Sequence, residues 1–212
     1  MSATIYNMTA IHIESVSAPF DTQALAQRAI HFLISADAMG LLEGLDIRAL
    51  TLANFRSVVD RLAEQGVGQQ ARVALAASKE VDYGQVLDQL REAIELSPVP
   101  QHEWRAMSEL FDAPALAQLL DVAPASIRRY RTGKRETPDL VAARLHFLAG
   151  LVGDLAGAYN DFGIRRWFER PRPQLDDHTP AQWLSPGWDP NDEGPQRVRT
   201  LAAALAGGGG AT

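Results

Sequence analysis

From Asp21 onward, apolar residues recur at three- and four-residue intervals, the spacing of one face of an α-helix. Leu25, Ala29, Phe32, Leu33 and Ala36 form the first such stripe, punctuated by Gly40 and Gly44. Thr51 stands as an N-cap before a second stripe of Leu52, Phe55, Val59 and Leu62, which Gly66 closes. Residues 69–78, rich in Ala and Gln, predict a short helix. Val86, Leu87, Leu90, Ala93 and Ile94 predict another, which stops at Ser97-Pro98. Ahead of Asp21 the pattern is weaker. Ile11, Ile13 and Val16 alternate only in part, which suits a short strand or a loose arm, and the arm is the expectation. Residues 1–100 therefore predict a small helical domain bounded by Pro98 and Pro100.

A second helical set follows. Trp104, Met107, Leu110 and Phe111 make one face. Pro114 suits the first turn of the next helix, where its missing N–H costs little, and Leu116, Leu119 and Leu120 form that helix's apolar side. Pro124 opens a third helix and Gly133 ends it. Thr137-Pro138-Asp139 reads as an N-cap, a proline at the first helical position and an acid at the positive end of the dipole. Leu140, Val141, Leu145, Leu148, Val152 and Leu155 then sustain the longest stripe. Gly150, Gly153 and Gly157 lie along one side of it, so this helix either packs closely there or frays early. Residues 101–157 thus hold several helices and a long connecting one. Residues 163–195 contain six prolines and three tryptophans and predict short helices near 161–169 and 180–184, a loop at 185–194, and a last helix near 195–206. The tail 208–212 reads as flexible. The fold class expected is all-α.

Charge sharpens this outline. The chain has 212 residues and a formal net charge of −6, which argues against bulk nucleic-acid binding by the whole surface. The distribution is uneven. Residues 1–100 carry 7 basic and 12 acidic groups, a balance of −5; residues 101–212 carry 13 and 14, a balance of −1. Arg128, Arg129, Arg131, Lys134 and Arg135 fall within eight residues, with Arg144 just beyond. Such charges repel unless an anion or a partner accepts them. Cysteine is lacking, which excludes disulfides and thiolate metal sites. There is no signal-peptide pattern, and no apolar run nears the roughly 20 residues of a membrane span. A cytoplasmic protein is expected.

The basic cluster sits in "PALAQLLDVAPASIRRYRTGKR", an apolar helix, a tight turn and a charged second helix. Ala117 is small where the two helices approach, Val122 fills the space under the turn, and Ile127 buries. Ser126, Arg128, Arg129 and Arg131 then point outward. This stretch resembles the Xre/Cro-like helix-turn-helix, with Asp121 where that pattern has Gly; Asp tolerates the left-handed conformation better than most residues. The resemblance implies that Arg128, Arg129, Arg131, Lys134 and Arg135 hold DNA, with Ser126 and Tyr130 near bases or sugar. The bland alternative is a solvated arginine-rich face.

The segment "GIRRWFERPRPQLDDHTPAQWL", residues 163–184, resembles the toxin-binding domain of the Xre/MbcA/ParS antitoxins. Trp167, Pro171, Pro173, Leu175, Thr179-Pro180 and Leu184 match in order and spacing, whereas Arg172 replaces the usual Asn, and Asp176-Asp177 the usual glycines. The two resemblances cover residues 101–207 in the family's order and leave residues 1–100 uncovered. They imply a non-enzymatic antitoxin, commonly oligomeric, that blocks a RES-domain, NAD-consuming toxin and represses its own operon through operator DNA. No cofactor is implied. The toxin-facing region would span residues 183–207, with Trp183, Trp188, Arg197, Leu201 and Leu205 as candidates. Trp167 is expected in the core. Trp188, in a Pro/Gly loop, suits an interface anchor and a core position equally. The alternative is an orphan or phage-encoded DNA-binding regulator without a toxin.

Other motifs fall away on context. "GVGQQA" at Gly66–Ala71 imitates a dinucleotide loop but follows a helix rather than a strand. "DPNDEG" at Asp189–Gly194 opens like a calcium loop, but its twelfth position is Thr200 where Glu is needed. His12, His31, His102, His146 and His178 have no metal-ligand spacing. His146 reads as a partly buried helix residue.

Overall fold

Thr22, Thr51 and Asp82 each accept a hydrogen bond from the backbone N–H three residues on, from Leu25, Asn54 and Gln85. These caps satisfy otherwise orphaned donors and start the first, second and fourth helices. The computed structural model describes residues 11–77, 81–184 and 186–207. The expected flexible tail, 208–212, lies outside the described residues. Helices α1 (Gln23–Ala38), α2 (Leu52–Glu64), α3 (Gln69–Ala77) and α4 (Tyr83–Leu96) precede Pro98. Helices α5 (Pro100–Leu110), α6 (Ala113–Leu120), α7 (Pro124–Arg131), α8 (Asp139–Ala156), α9 (Asp161–Glu169), α10 (Pro180–Trp183) and α11 (Glu193–Gly207) follow it. The protein is a multi-helix, all-α fold with one small sheet.

That sheet corrects the expected N-terminal arm. Residues Ile11–Val16 form strand β1, which runs parallel to β2 (Ile47–Leu50) across α1. Ile11 pairs with Ile47 and Val16 with Leu50. Ile47 and Leu50 are buried, so β1 supplies partners to backbone groups at the edge of the core. The six residues of β1 alternate only in part, and β2 has just four, too few for alternation to be read from sequence.

The break at Pro98 separates helices but not cores. One continuous set of buried side chains runs from Phe20 to Ala202. Helix α1 packs on α8, and so does α11. The buried side chains of residues 1–100 are thus continuous with those that follow Pro98. Gly153 explains the close approach: a Cβ there would meet the Ser35 Cα of α1 at 3.1 Å, whereas a Cβ at Gly157 would meet nothing within 4 Å. Gly153→Val should consequently lower stability by about 2–3 kcal/mol through overpacking. Gly157→Ala, at helical φ, should leave stability unchanged or raise it by up to about 1 kcal/mol. Thermal melting of the two variants checks the opposite signs.

Thr137 also departs from expectation. Pro138 occupies the cap position of α8, and the Thr137 hydroxyl instead accepts from the Trp104 indole N–H at 2.9 Å. A buried indole leaves its only donor unsatisfied without such a partner. Among the described residues, no single helix is long and apolar enough to cross a membrane.

Candidate nucleic-acid interface

Helix α6 starts at Asp112, whose carboxylate accepts from the Ala115 N–H at 2.8 Å, with Pro114 in the first turn. Leu116, Ala117, Leu119 and Leu120 face the core. The helix ends at Asp121, which holds the left-handed conformation with φ 52° and ψ 53°. The Val122 N–H reaches the Ala117 carbonyl and the Asp121 N–H the Gln118 carbonyl, which together make a Schellman end. Asp thus takes the place expected of glycine at this turn. Helix α7 follows from Pro124, burying only Ile127 and Tyr130. Spaced three apart, they define its inner face. Two short helices joined by a tight turn are thus seated on α5 and α8.

Arg128, Arg129, Arg131, Lys134 and Arg135 are all exposed, and Ser126 is half-buried at the start of α7. Among the described residues none of the five cations lies in a salt bridge, although arginines elsewhere do, including Arg28, Arg48, Arg72 and Arg105. The last turn of α7 carries Arg128, Arg129 and Arg131, where the helix dipole favours cations. The turn after α7 is fastened rather than loose: the Thr132 hydroxyl donates to the Arg128 carbonyl at 2.8 Å, and the Arg135 N–H to the Arg129 carbonyl at 3.2 Å.

Two residues of the basic segment sit elsewhere. Tyr130, placed near bases by the sequence, is buried: its ring stacks on Trp104 at 5.5 Å and carries the Arg135 guanidinium at 5.6 Å on the ring. The ring therefore faces the core and supports the Arg135 guanidinium. Arg144 belongs to no surface cluster. It is buried on α8, donating from Nε to the Trp188 carbonyl at 2.7 Å and from Nη1 to the Leu120 carbonyl at 3.1 Å and to Asp121 Oδ2 at 3.4 Å. Proximity along the chain carries no sign of this, because the acceptors come from segments 23 to 44 residues away.

The C-terminal module packs as its apolar residues suggest. Ile164, Trp167, Phe168, Leu175 and Leu184 are buried, and Thr179 and Gln182 form a reciprocal capping box at α10. Asp176 and Asp177 both take positive φ, 55° and 58°, at the positions where the resembled pattern has glycine. Arg197 donates to Asp176 at 2.8 Å and to the Gln174 carbonyl at 2.9 Å, and its guanidinium lies over the Trp183 ring. That guanidinium holds the Asp176 carboxyl below the usual carboxylate range.

The expected partner-facing residues therefore divide. Trp188 takes the core position of its two expected places: it is 4% exposed, its indole N–H donates to the Leu119 carbonyl at 3.1 Å, and its ring meets Phe147 edge-on. Arg197 is engaged by Asp176. Trp183 and Leu201 are half-buried, as is Leu205, and all three pack against the core while keeping one side toward solvent. The exposed aromatic that the sequence reading missed is Phe162 on α9, 60% exposed beneath the Arg166 guanidinium. Its position off the buried stripe of Ile164, Trp167 and Phe168 was the available signal. Compared with family models, curated proteins and solved structures, the chain matches none.

Proposed function

We propose that this protein is a DNA-binding repressor and the antitoxin of a RES-type, NAD-consuming toxin. The observation that carries the DNA-binding half is the group of five exposed cations on and just after the second helix of a helix-turn-helix, none paired with a carboxylate among the described residues. A duplex supplies phosphates for such charges, and its major groove offers guanine acceptors to arginine. The antitoxin half rests on the order of the two resembled segments, helix-turn-helix first and Thr-Pro-capped module second. It implies a cytoplasmic, oligomeric protein working on operator DNA, with no catalytic role of its own.

The duplex test is direct. Arg128→Ala with Arg129→Ala should reduce the slope of log affinity against log salt by about 2, one for each phosphate no longer neutralised. Titration of a fluorescent duplex across a salt series measures it. An unchanged slope means that these cations do not meet phosphates.

An orphan regulator without a toxin is the second reading. The burial of Trp188 and the internal pairing of Arg197 favour it, because they withdraw two of the five candidate toxin-facing residues. Co-expression with the product of the adjacent reading frame separates the two: a stable complex with a RES-domain neighbour supports the antitoxin, and no complex supports the orphan.

A further inference from the structure

Every helix leaves its last carbonyls without intrahelical donors. In α6 all four are satisfied, by two different agents. Ala117 and Gln118 are capped by the Schellman end of the turn itself. Leu119 and Leu120 are capped from outside, by the Trp188 indole and by Arg144. The left-handed residue of the turn is held the same way. Asp121 Oδ2 accepts from the Gly187 N–H at 2.9 Å and from Arg144 at 3.4 Å. Arg144 then closes the ring by donating to the Trp188 carbonyl while its guanidinium lies over the Trp188 indole.

We infer that Gly187-Trp188, Asp121 and Arg144 form a latch that sets the angle between α6 and α7, so that a segment remote from DNA positions the DNA-reading helix. The latch joins the loop between α10 and α11 to the single turn on which the orientation of α7 depends. Three of its acceptors are main-chain carbonyls, and its one charged donor is a buried arginine, so partial release is costly and the latch is either closed or open. Displacement of α11 by a protein partner pulls on Trp188 and opens it. None of the five exposed cations belongs to the latch. Its loss therefore leaves the electrostatic attraction to any duplex intact and removes the fit to a particular one.

This inference rests on the DNA-binding reading above, and the experiment separates the two. A duplex is first selected from a random-sequence pool by the wild-type full-length chain. Affinities for that duplex and for an unrelated one are then measured across a salt series. Trp188→Phe keeps a ring against Phe147 but loses the N–H to Leu119. Asp121→Gly keeps the left-handed turn but loses the carboxylate. Each should weaken binding to the selected duplex about tenfold, the scale of one hydrogen bond. Trp188→Phe should leave the unrelated duplex, the salt slope and the circular dichroism unchanged, and Asp121→Gly, which removes one negative charge, should not weaken binding to the unrelated duplex. Equal affinity of wild type and both variants for the selected duplex overturns the latch while the DNA-binding reading stands. So does a parallel loss on both duplexes, which signals general damage. Failure of the wild type to enrich or bind any duplex overturns the reading and the latch together.

Discussion

Replacing Arg144 with methionine lowers the stability of the fold by about 3–5 kcal/mol, the scale seen when one member of a buried ionic group is removed. The side chain is buried, and three acceptors depend on it: the carbonyls of Leu120 and Trp188 and the carboxylate of Asp121. Methionine fills the volume but donates nothing, so the Leu120 and Trp188 carbonyls lose this donor, while the exposed Asp121 carboxylate keeps the Gly187 N–H. Lysine does not rescue the loss, because a compact ammonium cannot present the planar fork that meets three acceptors. Urea unfolding measures the effect. A midpoint shift equivalent to less than about 1 kcal/mol would show that water replaces the arginine and that the site is less closed than its geometry indicates.

The second large effect is pH-dependent. His146 on α8 places Nδ1 2.6 Å from Glu103 Oε1 of α5, and Nε2 2.9 Å from the Glu95 carbonyl at the end of α4. Burial opposes its charge, but the Glu103 hydrogen bond and charge and the Glu95 carbonyl outweigh burial and the nearby Arg199, so His146 titrates above its ordinary value. A histidine whose folded pKa is raised contributes stability that is complete below the unfolded value of 6.5 and is lost as pH rises through the folded pKa. His146→Leu leaves the fully buried Glu103 without its ionic partner, with the Val99 N–H still donating to it. It should therefore cost on the order of 3 kcal/mol at a pH of about 6, and the gap from wild type should narrow as pH is raised. His102 shifts the opposite way, lowered by burial first and by Arg105. Its contribution changes below 6.5 and leaves the upper window to His146. Denaturant midpoints of wild type and variant at several pH values test this; a constant gap would mean that His146 titrates alike in the folded and unfolded chain.

The elements legible in the sequence are those whose signals are local. Thr51, Thr179 and Gly66 mark helix ends because capping and left-handed turns involve neighbours within a few residues. Helix α9 is readable to its observed limits, since Asn160 caps it and Ile164, Trp167 and Phe168 form a compact stripe. The α6 turn is readable at Asp121 for the same reason. Strand β1 is not, because its partner β2 lies across an intervening helix. Within the candidate interface, the exposure of the five cations can be read from sequence, but the burial of Tyr130 cannot. An aromatic among arginines looks like a nucleic-acid contact until Trp104, 26 positions earlier, is seen against its face.

Sequence alone determined the helical class, most helix limits and the concentration of positive charge around one short helix, because periodicity, caps and charge are properties of neighbouring residues. Tertiary structure alone decided that α1 shares a core with α8, that Trp188 and Arg144 face inward, and that Arg197 answers Asp176. Each of these depends on groups brought together from distant parts of the chain. A buried polar group must find a partner, and where that partner stands along the sequence is set by packing.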